Sequence, residues 1–385
     1  MLLYYFIRAC FLLLNLTPHG DGENRYLEQD LFVSGDGGYH TYRIPSIIVT
    51  QKGTVLAFAE GRKENSSDTG DIDLLLKRSE DGGKTWGEQM VIWDDGENVC
   101  GNPTPVVDEQ TGTVWLLMTW NRGDDHEKDI ILKESKDTRR VFVSSSADDG
   151  KTWSTPKDIT VTTKDPRWGW YATGPGIGIQ IKHGPHKGRL VIPCDHSCDA
   201  PGGDLTGSEY EYGAHVIFSD DHGQTWKLGG TVVPKMNECQ VVEQADGNGT
   251  LLLNMRSYFG KNRRAQAVSK NGGMEWTHPV EAVDLIEPVC QAALIRYSWP
   301  DASHKGLLLF SNPASTKREN MTIKISEDEG RSWPVSRTLY AGLSAYSALA
   351  VLEDGTVLCL YEKGEKGPYE KISLARFDVD WIRGK

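Results

Sequence analysis

One octet recurs along the chain, and this repeat limits the fold more than any other feature. It reads serine, any residue, aspartate, any residue, glycine, any residue, threonine or serine, tryptophan. Four copies fit it, Ser79–Trp86, Ser146–Trp153, Ser219–Trp226 and Ser326–Trp333, and a degenerate fifth copy, Ser269–Trp276, has Asn271 in place of the aspartate. Successive tryptophans are about 50 to 73 residues apart, which is the scale of one four-stranded unit with its loops.

The composition of the octet is that of a hairpin turn. The glycine can adopt a positive φ, the aspartate can accept hydrogen bonds from turn amides, and the tryptophan can pack against the strand just completed. Each copy follows a short apolar run: Leu74–Leu76, Val141–Val143, Ala214–Phe218, Ala265–Val268 and Met321–Ile325. We therefore predict a structural turn with no direct catalytic role.

Further strand-like runs fill the rest of the chain, and no long segment has a helical period. They are Ser46–Thr50, Thr54–Ala59, Val114–Trp120, Arg189–Pro193, Thr250–Met255, Leu307–Ser311 and Thr356–Tyr361. Short strands in repeated groups are typical of radial all-β architectures. At about 60 residues per unit, the chain predicts a six-bladed β-propeller of four-stranded antiparallel blades. No linker-like stretch divides it, so residues 21–385 are expected to form a single domain.

The net charge restricts the partners. With 42 basic and 54 acidic residues the formal charge is −12, which disfavours nucleic acid and anionic membrane surfaces as partners. Overall charge does not describe a local pocket, and a small anionic substrate stays compatible with it.

The amino terminus is apolar from Met1 to Leu16 except for Arg8 and Asn15. This pattern predicts a signal peptide over residues 1–20 and a secreted, periplasmic or lysosomal protein. A translated upstream stretch or a short buried strand are the alternatives. No later segment reaches about 18 uninterrupted apolar residues, so no transmembrane segment is expected in the mature chain.

Common cofactor and metal motifs are incomplete. Cys194, His196 and Cys198 resemble half of a zinc site, but no second pair completes it, so the spacing favours a small loop disulfide or two free thiols. The glycines from Gly174 to Gly178 lack dinucleotide-binding spacing. We expect neither a metal nor a cofactor.

Several charged residues stand within or beside apolar runs. They are Arg43, Glu238, Arg256, Arg318 and Glu362. Ordinary ion pairs or solvated strand ends would explain each one singly. Three such arginines in one propeller would also suit a carboxylate ligand, because a guanidinium can bind that group through two hydrogen bonds.

The motif Tyr42-Arg43-Ile44-Pro45 followed by the octets resembles the sialidase (exo-α-neuraminidase) family, in which they are the YRIP motif and the Asp box. The resemblance runs from about Tyr39 to Glu362. It implies a six-bladed propeller with its site at the central axis. The degenerate box Ser269–Trp276, fourth in chain order, and a sixth blade without a box are departures that leave the site residues intact.

The resemblance also implies roles for individual residues. Arg43, Arg256 and Arg318 match the family's three arginines that bind the substrate carboxylate. Arg62 matches an additional arginine that lines the same pocket. Asp68 matches the acid/base aspartate, Tyr346 the nucleophile, Glu238 its partner, and Glu362 the carboxylate that orients Arg43.

The implied activity is hydrolysis of terminal α-linked sialic acid from glycoproteins, gangliosides and oligosaccharides, with retention. A neutral tyrosine can approach an anomeric carbon that bears a carboxylate, where an anionic nucleophile would be repelled. A trans-sialidase and a catalytically silent sialoglycan-binding propeller are the alternatives. Trp168, Trp170 and Tyr171 could form a platform for the ligand or simply pack in the core.

Overall fold

The computed structural model describes residues 25–199 and 210–385, and these residues form an all-β fold. The predicted signal peptide, residues 1–20, lies outside the described residues. Within them, the strands form four hydrogen-bonded sheets.

The first sheet contains β2 (Thr41–Val49), β3 (Val55–Arg62), β4 (Ile72–Ser79), β5 (Met90–Trp93), β6 (Val99–Val107), β7 (Val114–Asn121), β8 (Arg140–Ser146) and β9 (Lys157–Asp158). The second contains β10 (Tyr171–Thr173), β11 (Ile179–Gln180), β12 (Leu190–Asp199), β13 (Tyr210–Ser219) and β14 (Lys227–Val232). The third contains β15 (Met236–Glu243), β16 (Leu251–Ser257), β17 (Arg263–Ser269) and β18 (Val280–Ile286).

The fourth sheet joins β1 (Tyr26–Val33) to β19 (Ala293–Ser298), β20 (Leu307–Pro313), β21 (Glu319–Ser326), β22 (Val335–Val351), β23 (Val357–Gly364) and β24 (Lys371–Phe377). The helices are α1 (Glu127–Leu132), α2 (Thr160–Thr163) and α3 (Val379–Ile382). In the described part of the chain, no helix combines the length and hydropathy needed to cross a bilayer.

Among the described strands, pairing is antiparallel except for one parallel contact between β4 and β6. The 17-residue strand β22 pairs with β21 through residues 335–343 and with β23 through residues 343–351. Strand β1 pairs with β24, so the first and last described strands lie side by side. Each strand-like run read from the sequence falls within an observed strand, to within one residue at its ends, which confirms the all-β prediction.

The octets form the predicted turns. In every copy the serine is the last residue of a strand, namely β4, β8, β13, β17 or β21. Its hydroxyl accepts a hydrogen bond from the octet glycine N–H at 2.8–2.9 Å in all five copies. The degenerate copy keeps this geometry because the Asn271 Oδ1 still accepts from the Glu275 N–H at 2.9 Å. Side-chain acceptors thus satisfy turn amides that the sheet leaves unpaired.

The second to fifth octets in chain order also pack against the preceding group of strands, which the sequence did not predict. The ring centroid of Trp153 lies 5.8 Å from that of Phe58 on β3, and the ring centroid of Trp226 lies 6.4 Å from that of Trp115 on β7. Both pairs are arranged edge to face. Gly150 has φ 78°, and a Cβ there would lie 2.8 Å from the Leu56 side chain. The tryptophans therefore enter the apolar clusters between neighbouring groups of strands.

We predict that Ser146→Ala lowers the free energy of unfolding by about 1–3 kcal/mol, because the buried Gly150 N–H would lose its acceptor. Chemical denaturation measures the change. Ser145→Ala is the matched control, since the Ser145 hydroxyl makes only a 3.5 Å contact with Ser154. Equal stability of the two variants would contradict the structural role of the octet serine.

Candidate active site

One cavity of about 440 Å³ brings together seven of the eight predicted site residues. They are Arg43, Arg62, Asp68, Glu238, Arg256, Arg318 and Tyr346. The eighth, Glu362, lies fully buried behind Arg43. No octet residue lines this cavity, which agrees with a structural role for the octets.

Irregular strand pairing aims several of these side chains into the cavity. The register shifts between Arg43 and Ser46 on β2, between Met236 and Cys239 on β15, and between Ser344 and Ser347 on β22. Glu238 and Tyr346 lie inside two of these irregularities. Bulges commonly redirect side chains beside active sites, because the extra residue changes which face of the sheet a side chain leaves.

Glu362 connects two strands of the site. Its Oε1 accepts from the Arg43 Nε at 2.8 Å and from the Ile44 N–H at 3.0 Å, and its Oε2 accepts from the Tyr346 N–H at 3.0 Å. Burial opposes the charge of Arg43, but Glu362, together with smaller contributions from Tyr369, Tyr346 and Asp68, outweighs burial and raises the pKa of the guanidinium. The ion pair therefore keeps Arg43 charged at the edge of the cavity.

Tyr346 and Arg256 share Glu238. The Tyr346 hydroxyl donates a short hydrogen bond to Glu238 Oε1, and Arg256 Nη1 lies 2.8 Å from Glu238 Oε2 and 3.5 Å from the Tyr346 hydroxyl. Burial, followed by the charge of Glu238, raises the pKa of Tyr346 well above its ordinary value. The phenol is therefore neutral and already hydrogen-bonded to a group that can accept its proton.

Asp68 stands on the loop between β3 and β4 and is 56% exposed. Its Oδ1 lies 2.7 Å from Arg62 Nη2, and Arg62 is also held by Glu60 at 2.7 Å and by the Ser66 carbonyl at 2.7 Å. Partial desolvation by the surrounding cavity wall alone would raise the pKa of Asp68, but Arg62 and Arg43 outweigh it and hold that pKa below its ordinary value. A carboxylate is thus placed within reach of both solvent and the cavity.

Arg318 directly precedes β21, and its Nη1 donates to the Tyr369 hydroxyl in a short hydrogen bond. The Tyr346 ring lies beneath two of the arginines, with its centroid 5.1 Å from Arg43 Cζ and 5.6 Å from Arg318 Cζ. Positive charge is therefore concentrated around the buried phenol.

The sequence reasoning missed a buried guanidinium in the cavity wall. Arg139 donates from Nη2 to Thr119 Oγ1 at 2.9 Å and makes short hydrogen bonds to Asn102 and Asn121. Its Cζ lies 4.1 Å from the Trp170 ring centroid. Burial lowers the pKa of Arg139 to about 10. Its position before the apolar strand β8 is the same signal that identified Arg43.

Asp195 is a second residue that the sequence reasoning missed. It is 1% exposed on β12, and its Oδ1 accepts from Asn237 Nδ2 at 2.9 Å. Burial, followed by the charge of Glu238, raises the pKa of Asp195 well above its ordinary value. Asn237 directly precedes Glu238 in the chain, so this hydrogen bond links Asp195 to the segment that carries Glu238.

The aromatic residues of the segment 168–171 differ in position: one lines the cavity and two pack in the core. Trp170 lines the cavity, whereas Tyr171 is fully buried and Trp168 stacks on the His196 ring with centroids 3.6 Å apart. The His196 ring is thus buried in the packing of this segment.

The carboxylate group with metal-like spacing lies outside the cavity. It consists of Asp71, Asp73 and Asp94. Lys63 Nζ lies 2.9 Å from Asp71 and 3.1 Å from Asp73, so a lysine already supplies positive charge there. In the cavity itself, five arginines face the carboxyl groups of Glu60, Asp68, Glu127, Asp195 and Glu238. This arrangement suits an anionic ligand and acid–base chemistry.

Comparison with known proteins agrees with this geometry. A family model described as a BNR repeat-like domain matches residues 53–359. A sialidase of Micromonospora viridifaciens is 36% identical over 380 residues, covering 96% of this chain and 56% of that protein. An exo-alpha-sialidase of Aspergillus fumigatus is 30% identical over 382 residues, covering 90% of this chain and 86% of that protein.

A solved structure of a Hadza microbial sialidase matches with a TM-score of 0.79 and 33% identity, covering 92% of this chain and 69% of that one. The chain thus spans just over half of the Micromonospora relative and most of the fungal one. The family model matches most of the chain, and the similar proteins named here are all sialidases. The chain belongs to the sialidase family.

Proposed function

We propose that this protein is an exo-α-sialidase that hydrolyses terminal α-linked sialic acid from glycoproteins, gangliosides and oligosaccharides with retention of configuration. The observation that carries this proposal is the Tyr346 hydroxyl, which is hydrogen-bonded to Glu238 in a cavity lined by Arg43, Arg256 and Arg318.

The three arginines would bind the carboxylate of the sugar. Guanidinium groups match a carboxylate in both charge and hydrogen-bond geometry. Arg43 and Arg256 are already held by the buried carboxyl groups of Glu362 and Glu238, so little side-chain freedom remains to be lost on binding. The local cluster can attract an anion although the whole chain carries −12.

Tyr346 would act as the nucleophile. Glu238 accepts the phenolic proton as the Tyr346 oxygen attacks the anomeric carbon, and the glycosidic bond breaks. Arg256 contacts both Glu238 and the Tyr346 hydroxyl, so its charge would stabilise the developing phenolate. The product of this step is a covalent glycosyl–tyrosine intermediate.

Asp68 would protonate the departing oxygen and then remove a proton from the water that attacks the intermediate. The anomeric carbon–tyrosine bond breaks, and Glu238 returns its proton to the phenolate. Two displacements at one carbon give retention. The exposure of Asp68 supports this role because both the leaving group and water must reach it.

For the fold, we propose a six-bladed propeller with four strands per blade, formed by residues 21–385 as one domain. The division of β22 between β21 and β23, and the pairing of β1 with β24, support separate fifth and sixth blades. Contacts of β2 with β6 and β22, and of β19 with β15 and β22, support a ring around the cavity.

We predict that Tyr346→Phe lowers kcat for a fluorogenic sialoside at least about a thousandfold, because it removes the attacking oxygen. Tyr361→Phe is the matched control, since Tyr361 is a buried tyrosine on β23 whose hydroxyl contacts Glu28 instead. A fluorinated sialosyl fluoride should label the peptide that contains Tyr346 in the wild type, and mass spectrometry detects the adduct.

Undiminished hydrolysis by the Tyr346→Phe variant would contradict the nucleophile assignment. Transfer of sialic acid to added lactose in place of hydrolysis would instead identify a trans-sialidase. Sialoside binding by the wild type without release at any pH between acidic and neutral would indicate a silent binding protein.

We predict that Asp68→Asn loses about 10²- to 10⁴-fold in kcat/KM on a sialoside with a sugar leaving group, and much less on an aryl sialoside whose phenolate leaves unprotonated. Because only the protonated carboxyl can donate and its pKa is lowered, the sugar-to-aryl ratio of kcat/KM should fall as pH rises in the wild type. In the variant this ratio should not change with pH. Equal losses on both substrates would argue against the acid role.

We predict that Glu362→Gln lowers the free energy of unfolding by about 3–5 kcal/mol, because Arg43 would remain buried without its counter-charge. It should also weaken binding of an unsaturated sialic acid analogue. Glu327→Gln breaks an exposed ion pair with Arg383 and is the control, expected to change stability by less than about 1 kcal/mol. Chemical denaturation and calorimetry measure both effects, and a Glu362→Gln protein as stable as the control would refute the orienting role.

A further inference from the structure

The three arginines of the cavity are held in different ways. Arg43 Nε lies 2.8 Å from Glu362, and Arg256 Nη1 lies 2.8 Å from Glu238. Arg318 forms no ion pair with a carboxylate anywhere in residues 25–199 and 210–385. Its hydrogen bond goes to the uncharged hydroxyl of Tyr369 instead.

Tyr369 contacts a second arginine through its ring. The ring centroid lies 4.0 Å from Arg43 Cζ, which is closer than the 5.1 Å from that atom to the Tyr346 ring. The face of one side chain therefore supports Arg43 while its hydroxyl accepts from Arg318. Such a bridge sets the separation of two guanidinium groups.

The backbone of Tyr369 is itself fixed. Ser34 Oγ donates to the Tyr369 carbonyl at 2.8 Å, and the Ser34 N–H donates to the Glu370 carbonyl at 2.9 Å. The Glu370 carboxylate accepts from the N–H groups of Glu365 and Lys366 at 3.0 and 2.8 Å. These bonds connect the loop between β23 and β24 to the turn that follows β1, so Tyr369 stands on a constrained support.

We propose that Tyr369 is a positioning residue that orients Arg318 against Arg43 for the ligand carboxylate without neutralising Arg318. A carboxylate partner would compensate part of the guanidinium charge, whereas a hydroxyl orients it and leaves the charge for the ligand. Tyr369 lines the cavity, but its proposed action on the substrate runs through Arg318. This inference rests on the proposed function.

Calorimetry on the full chain tests it with two probes, the unsaturated sialic acid analogue as its free acid and as its methyl ester. The wild type should prefer the acid. Tyr369→Phe keeps the ring beneath Arg43 and removes only the hydroxyl, so affinity for the acid should fall about tenfold while affinity for the ester stays within about twofold. In turnover, KM for a sialoside should rise similarly, with kcat changed less than about twofold.

Tyr340→Phe is the matched control. The Tyr340 hydroxyl bonds to the Gly364 carbonyl at 3.0 Å, at the start of the same loop, and Tyr340 does not line the cavity. It should leave the acid-to-ester preference unchanged. In an Arg318→Met background, Tyr369→Phe should have no further effect on affinity for the acid, because the group it orients is gone.

The outcomes separate the two proposals. A wild type that binds neither probe overturns the sialidase proposal and this inference with it. A wild type that prefers the acid, together with a Tyr369→Phe variant that prefers it equally, overturns the role of Tyr369 alone. An equal loss of affinity for both probes in that variant would indicate a general structural role of Tyr369 and would also overturn its proposed positioning role.

Discussion

The site depends on one buried carboxylate, Glu362. It accepts hydrogen bonds from the Arg43 side chain and from the backbone amides of Ile44 and Tyr346. A buried ion is costly unless both its charge and its lone pairs are matched, and three donors supply that match. Because one acceptor holds strands β2 and β22 together, the positions of Arg43 and Tyr346 are coupled.

Charge in the cavity is compensated unevenly, and this unevenness determines what the cavity can bind. Arg43 and Arg256 have carboxylate partners, whereas Arg318 and Arg139 are hydrogen-bonded to neutral groups. Among the described residues, Arg318 and Arg139 form no ion pair with a carboxylate, so these guanidinium groups favour an anion, while Asp68 and Glu238 place carboxyl groups in the same cavity. Binding and chemistry can therefore use different members of the same cluster.

Local chemistry made the turns predictable, and the motifs pointed to seven residues that the fold brings to one cavity. The octet serine and glycine are only four residues apart, so their hydrogen bond can be inferred from sequence. The contacts of Tyr369 could not be inferred in this way. Ser34, which holds its carbonyl, is 335 residues away in sequence, and the polar loop around Tyr369 has no periodicity to indicate what it faces.

The packing of the octets shows where sequence reasoning reaches its limit. A turn motif predicts contact with its own strand, yet Trp153 also meets Phe58 on β3, and Gly150 leaves room for Leu56 on the same strand. Gly150 is thus needed for two reasons: the turn requires its φ of 78°, and a Cβ at this position would collide with the Leu56 side chain. The octets join neighbouring groups of strands and leave the cavity free of octet residues. The repeat can therefore vary, as at Asn271, without changing the cavity lining, because turn geometry and chemistry depend on different residues.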